Sequence, residues 1–148
     1  MNQVFFNAEG IAMPPWTRAA GSFARSVMGE LGLENWVLSV LFCNNRYIKS
    51  LNASYRSKDE ATDVLSFPLG ETDPNGRFIA GDIVISLEAL EENARFFKVT
   101  ENEELRRLLV HGILHLSGRD HVTNGTGEAM LKMQEEILLR LGEKLLWV

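Results

Sequence analysis

Two runs in the middle of the chain decide how it folds: TDVLSFPLG, Thr62 to Gly70, and FIAGDIVIS, Phe78 to Ser86. Both are short and apolar, and β-branched and aromatic residues recur in them, which favours strands over helices. DPNG, Asp73 to Gly76, lies between them and carries the residues that tight turns select. The three together predict an antiparallel hairpin with a long loop. Beyond Ser86 the period becomes helical, with Leu87, Leu90, Ala94 and Phe97 on one face. Thr100 opens another helix, because TENE (Thr100 to Glu103) has the form of a capping box. A last helix is expected from about Thr126 to the C-terminus, with Met130, Met133, Ile137, Leu141 and Leu145 as its buried stripe.

The N-terminal side completes the pattern. Gln3 to Asn7 reads as a strand. Ala20, Phe23, Ala24, Val27 and Leu31 fall at helical spacing between Thr17 and Leu31, and Gly32 follows as a C-cap. Trp36 to Phe42 (WVLSVLF) is a second strand. Asn44 or Asn45 then caps a helix with Ile48, Leu51 and Tyr55 on one face. The expected fold class is α+β: a small mixed β-sheet of about four strands packed with about five helices. Strand order does not follow from the pattern.

At 148 residues the chain is expected to be one domain with a sizeable core. The formal net charge of −5 provides no global attraction for nucleic acid, so any such contact must be local. The single cysteine, Cys43, excludes an internal disulfide and reads as a buried small hydrophobe. MNQVFFNAEG has no basic n-region or long apolar h-region, and no apolar run is long enough for a bilayer. The expectation is a soluble cytoplasmic protein without a membrane partner.

All three histidines lie in HGILHLSGRDH, His111 to His121. On the helix from Thr100, Leu105, Leu109, Ile113 and Leu116 form one stripe. His111 and His115 sit about 40° apart at its edge, where two imidazoles can reach one metal ion. Gly118 can end the helix in the left-handed conformation, and the returning chain can offer His121 as a third ligand. The metzincin proteases use H-E-x-x-H-x-x-G-x-x-H. The histidines and the glycine here fall at the matching offsets, but Gly112 replaces the glutamate that serves those proteases as general base. The pattern thus argues for a zincin-like three-histidine metal site in a helix and turn, and against a standard zinc protease. Three imidazoles leave an open zinc position, which suits catalysis better than a closed structural role. Asp120 is either a second-shell partner for an imidazole or a turn residue.

The segment LNASYRSKDEATDVLSFP, Leu51 to Pro68, gathers Arg56, Lys58, Asp59 and Asp63 at a helix-to-strand junction. Alone this is weak, since such charges usually face water. Taken with GDIVIS (Gly81 to Ser86) and HGILHLSGRDH, it resembles the YbeY family of bacterial metallo-endoribonucleases. The likeness covers about the last two-thirds of the chain, and the histidine motif is highly specific. Ala61 stands where the family usually has proline, and the part up to about Asn35 matches no motif.

The resemblance implies an α+β fold and one zinc ion on His111, His115 and His121, with the family's functional arginine at Arg56. It implies endonucleolytic cleavage of single-stranded RNA in 3′-end maturation of 16S rRNA and in ribosome quality control. The small ribosomal subunit, and with it ribosome-associated proteins, would be the partner. Arg56 would then stabilise charge on the phosphate. Arg46, Lys49 and Lys58 form either a basic track for RNA or a solvated helix face. No general base is evident. Asp82 and Asp120 are the candidates, although Asp82 could equally pair with Arg56 or cap a strand end. The rivals are a metal-dependent hydrolase of another substrate and a non-catalytic, zinc-containing ribosome-assembly factor.

Overall fold

The computed structural model describes residues 1–118 and 126–142. Its strands are β1 (Gln3–Glu9), β2 (Trp36–Cys43), β3 (Val64–Thr72) and β4 (Phe78–Ser86). Its helices are α1 (Thr17–Glu30), α2 (Asn45–Arg56), α3 (Leu87–Phe97), α4 (Glu101–Leu116) and α5 (Thr126–Leu141). They form a mixed four-stranded sheet in the order β1-β2-β4-β3. β1, β2 and β4 run parallel, and β3 pairs antiparallel with β4 as the hairpin pattern requires. Parallel strands need covered faces. α1, α3, α4 and α5 pack on one face of the sheet, around Leu38, Val40, Ile83 and Ile85. α2 packs on the other, over Cys43, Leu65 and Val84 through Ile48.

The motif residues of the hairpin have local physical roles. Pro68 lies on edge strand β3, where a missing N–H costs least, and the ladder shifts register between Pro68 and Glu71. Opposite it, Gly81 has φ +141°, and a Cβ there would sit on the Phe67 carbonyl oxygen. Only glycine permits that approach. Ser86 ends β4 and starts α3, its hydroxyl accepting the Ala89 N–H at 3.2 Å.

Asn44, not Asn45, caps α2 by accepting the Tyr47 N–H at 2.9 Å. Thr100 accepts the Glu103 N–H at 3.0 Å, as its capping sequence predicts. α4 is the central helix, buried on nearly every side except the one that carries its histidines. Two expectations need correction. Tyr55 and Phe97 do not belong to buried stripes: they are 70% and 61% exposed. Tyr55 sits at the last turn of α2, with its ring edge-on to that of Phe67, 5.4 Å away. In α5 Met130 and Ile137 are buried and Met133 and Leu141 pack half-buried against the same core, while Gln134, outside the expected stripe, is buried as well. Leu145 lies outside the described residues. Among those residues no helix is long and apolar enough to cross a membrane.

Candidate metal centre

α4 presents Glu104, Leu108, His111 and His115 along one face, at spacings of four, three and four residues. The imidazoles of His111 and His115 lie edge to face, with ring centroids 4.4 Å apart. Their Nε2 atoms approach to 2.9 Å. Only one proton can stand between two such nitrogens. Alternatively, both lone pairs can converge on one cation. Two nitrogens about 2.0–2.1 Å from a shared tetrahedral zinc lie about 3.3 Å apart, so a small ring rotation meets the requirement. The pair therefore fits a metal. Below it, α4 ends as the sequence predicts: Gly118 has φ +79° and its N–H donates to the His115 carbonyl at 3.0 Å.

His121 and Asp120 lie outside the described residues. Among the described residues no third His, Cys, Asp or Glu completes a ligand group with the pair.

Behind the histidines lies a cavity of about 460 Å³. His111 lines it together with Asp63, Asn93, Glu104, Arg107 and Gln134, while Val64, Phe97, Val99, Leu108 and Leu131 give it apolar walls. The Asn93 amide donates to Asp63 Oδ2 at 3.0 Å and to Glu104 Oε2 at 3.3 Å. Arg107 pairs with Glu104 at 3.7 Å and with Glu135 of α5 at 3.1 Å. Burial pushes the Glu104 carboxyl above its ordinary range; Asp63 adds to this, and Asn93 and Arg107 oppose it. Glu104 is 3% exposed.

A raised carboxyl pKa means that the folded chain holds this proton more tightly than the unfolded chain does. Stability linked to Glu104 therefore falls as pH rises from the ordinary glutamate value, about 4.3, through the folded value. Wild type is expected to lose stability relative to Glu104→Gln across that window, measured by urea unfolding at a series of pH values. Parallel curves for the two proteins would contradict the assignment.

The other candidates are dispersed. Asp82 is exposed on β4 and lines a groove with Leu41, Tyr47, Leu51, Tyr55, Phe67 and Val84. This is the α2 side of the sheet. The neighbouring residue, Ile83, faces α4. Alternation along the strand thus sets Asp82 on the face opposite His111 and His115. It does not pair with Arg56 either.

Arg56 is exposed in the last turn of α2 and has no ion pair or hydrogen bond among the described residues. It does not line the histidine cavity. Lys58 is exposed just beyond it, and Arg46 and Lys49 are exposed near the start of α2. Arg46 and Arg56 are about 15 Å apart along the helix, so the cations form a spread face and not a cluster. The buried Asn52 pins the loop after Arg56, donating to the Glu60 carbonyl at 3.0 Å and accepting from Lys58 N–H at 3.3 Å. Cys43 is buried and its thiol is pushed up to about 12, which makes it inert.

Asp63 was singled out with the Arg56 segment but not connected to the histidines, and the motifs did not point to Asn93, Glu104 or Gln134 at all. Glu104 had a signal, since it lies seven residues before His111 and so on the same helix face. Asn93 had none.

Gly112, the position of the metzincin glutamate, points at the sheet. A Cβ there would come within 2.7 Å of Ile83 Cδ1. The proteases' base has no room in this chain.

A family model described as Endoribonuclease YbeY matches residues 9–142. An Endoribonuclease YbeY from Treponema denticola is 52% identical over 123 residues, which is 80% of this chain and 79% of the relative. One from Treponema pallidum is 45% identical over 142 residues, 93% of this chain and 89% of the relative. The solution structure of TM1509 from Thermotoga maritima superposes with a TM-score of 0.60 at 28% identity, covering 93% of this chain and 91% of that one. The likeness thus extends past the motifs into the N-terminal part, where no motif was legible. From β1 through the histidine helix to α5, the chain belongs to the YbeY endoribonuclease family.

Proposed function

We propose that the chain is a metal-dependent endoribonuclease that cuts single-stranded RNA, with one zinc ion on His111, His115 and His121. The observation that carries this reading is the convergence of the His111 and His115 Nε2 atoms, 2.9 Å apart on one face of α4, in a chain of this family. When bound, zinc supplies Lewis-acid polarisation of a phosphodiester oxygen.

Arg56 supplies positive charge to the phosphate. Its guanidinium has no protein partner among the described residues, so its donors are available for bidentate contact. It stands seven residues before Asp63, which lines the histidine cavity, so the short loop between them links the two regions. Lys49 shares the Arg56 face of α2 and, with Arg46 and Lys58, offers weak backbone contacts. With Asp82 on the far side of the sheet, Asp120 is the remaining candidate for acid–base work. A net charge of −5 favours weak binding of free RNA. Targeting then falls to a larger partner, the small ribosomal subunit, in cytoplasmic 16S rRNA 3′-end maturation and ribosome quality control.

Arg56→Ala tests the division of labour. Cleavage is expected to fall by about 10²–10³-fold. Zinc content should be unchanged, and stability should move by no more than about 0.5 kcal/mol, because the side chain is exposed. Single-turnover cleavage, metal analysis and urea unfolding of the same preparation check all three. Loss of the metal would make Arg56 structural.

A further inference from the structure

Gln134 occupies a core position of α5. It is 2% exposed and lies in line with buried Met130 and Ile137. An apolar side chain would be the ordinary choice there, since a buried amide needs a partner. Among the described residues its side chain makes one hydrogen bond: Oε1 lies 3.0 Å from His111 Nδ1. An amide oxygen can only accept, so the imidazole must donate. The single proton of a neutral ring then sits on Nδ1, and Nε2 keeps its lone pair. That Nε2 is the atom that meets His115 at 2.9 Å.

We propose that Gln134 is a positioning residue for the metal centre. Its carbonyl oxygen holds His111 in the Nδ1–H form and aims Nε2 as a ligand. Packing of α5 on α4 thereby sets metal affinity, and the Arg107–Glu135 pair at 3.1 Å joins the same two helices one residue away. The proposal rests on the assignment of His111 as a ligand. Residues 119–125, which include His121, join these two helices in the chain.

The test compares wild type with Gln134→Leu and Gln134→Glu. Zinc affinity is read by competition with a chromophoric chelator, stability by unfolding of the metal-free chain, and the His111 tautomer by long-range proton–nitrogen NMR of the metal-free chain. Gln134→Leu is expected to weaken zinc binding about 10–100-fold, the usual effect of losing such a partner. Its metal-free stability should be equal or higher, and the His111 signal should leave the Nδ1–H pattern. Gln134→Glu, a stronger acceptor, should keep that pattern and bind zinc at least as tightly as wild type.

Zinc affinity of Gln134→Leu within about twofold of a zinc-binding wild type would overturn this proposal alone. So would a wild-type His111 protonated on Nε2. A loss of affinity that Glu fails to restore, with a parallel loss of stability, would show that Gln134 only fills space. A wild type that binds no zinc would overturn the ligand assignment and this proposal together.

Discussion

Replacing His115 with alanine is expected to strip zinc from the chain and to lower cleavage of single-stranded RNA by about 10³-fold or more. The side chain is half-buried on α4, and its ring packs edge to face on that of His111. Removing it would delete one of the proposed ligands and leave the core of the helix intact. Leu109, Ile113 and Leu114 remain fully buried beneath it. Stability of the metal-free chain should fall by no more than about 1 kcal/mol. Metal analysis, single-turnover kinetics and unfolding of the chelated protein separate these effects. A variant that keeps its metal would remove His115 from the ligand set. One that loses its metal and still cleaves would show that the metal is not catalytic.

The second large effect is expected at Gly112. Alanine there would gain about 1 kcal/mol of helix propensity. Against this stands the collision of its Cβ with Ile83, at 2.7 Å from Cδ1 and 3.0 Å from both Cγ1 and Cγ2. Ile83 is fully buried on β4, a strand held on both sides by β2 and β3, so it has little space to yield. Overpacking of this kind costs about 1–3 kcal/mol, and the net result should be destabilising. Ile83→Val in the same chain removes Cδ1 and should recover part of the loss.

Gly112→Glu, which restores the metzincin pattern, should be far worse. It forces a carboxylate without a partner between helix and sheet, at several kcal/mol out of a total stability of about 5–15 kcal/mol. No peptidase should result. Urea unfolding of the variants and a peptide-cleavage assay check this. A stable, peptide-cleaving Gly112→Glu protein would mean that the position faces the metal after all.

The strands and helices were legible because each carries its own period. WVLSVLF, FIAGDIVIS and the Leu105–Leu109–Ile113–Leu116 stripe each become the element that their pattern predicts. Strand order was not legible, because β1, β2 and β4 pair across helices and a hairpin, and local pattern holds no record of that. Ends of stripes were the weak points. Tyr55 and Phe97 continue an apolar spacing to the last turn of their helices, where the surface on which they would pack has run out.

The paired imidazoles were legible because i, i+4 spacing fixes a shared face. Asp82 was not placeable, since which face of a strand meets the paired imidazoles depends on which helix covers it. Gln134 was hidden for a similar reason. It lies outside the expected stripe, and only the docked position of α5 buries it.

The most direct test of the central claim is made on the wild-type protein as purified. Metal content per chain is measured, followed by cleavage of one RNA sequence as a single strand and as a duplex, before and after chelation. One zinc per chain and cleavage confined to the single strand are expected. That cleavage should vanish on chelation and return with zinc. A chain that carries no metal, or one whose cleavage is indifferent to chelation, would contradict the central claim.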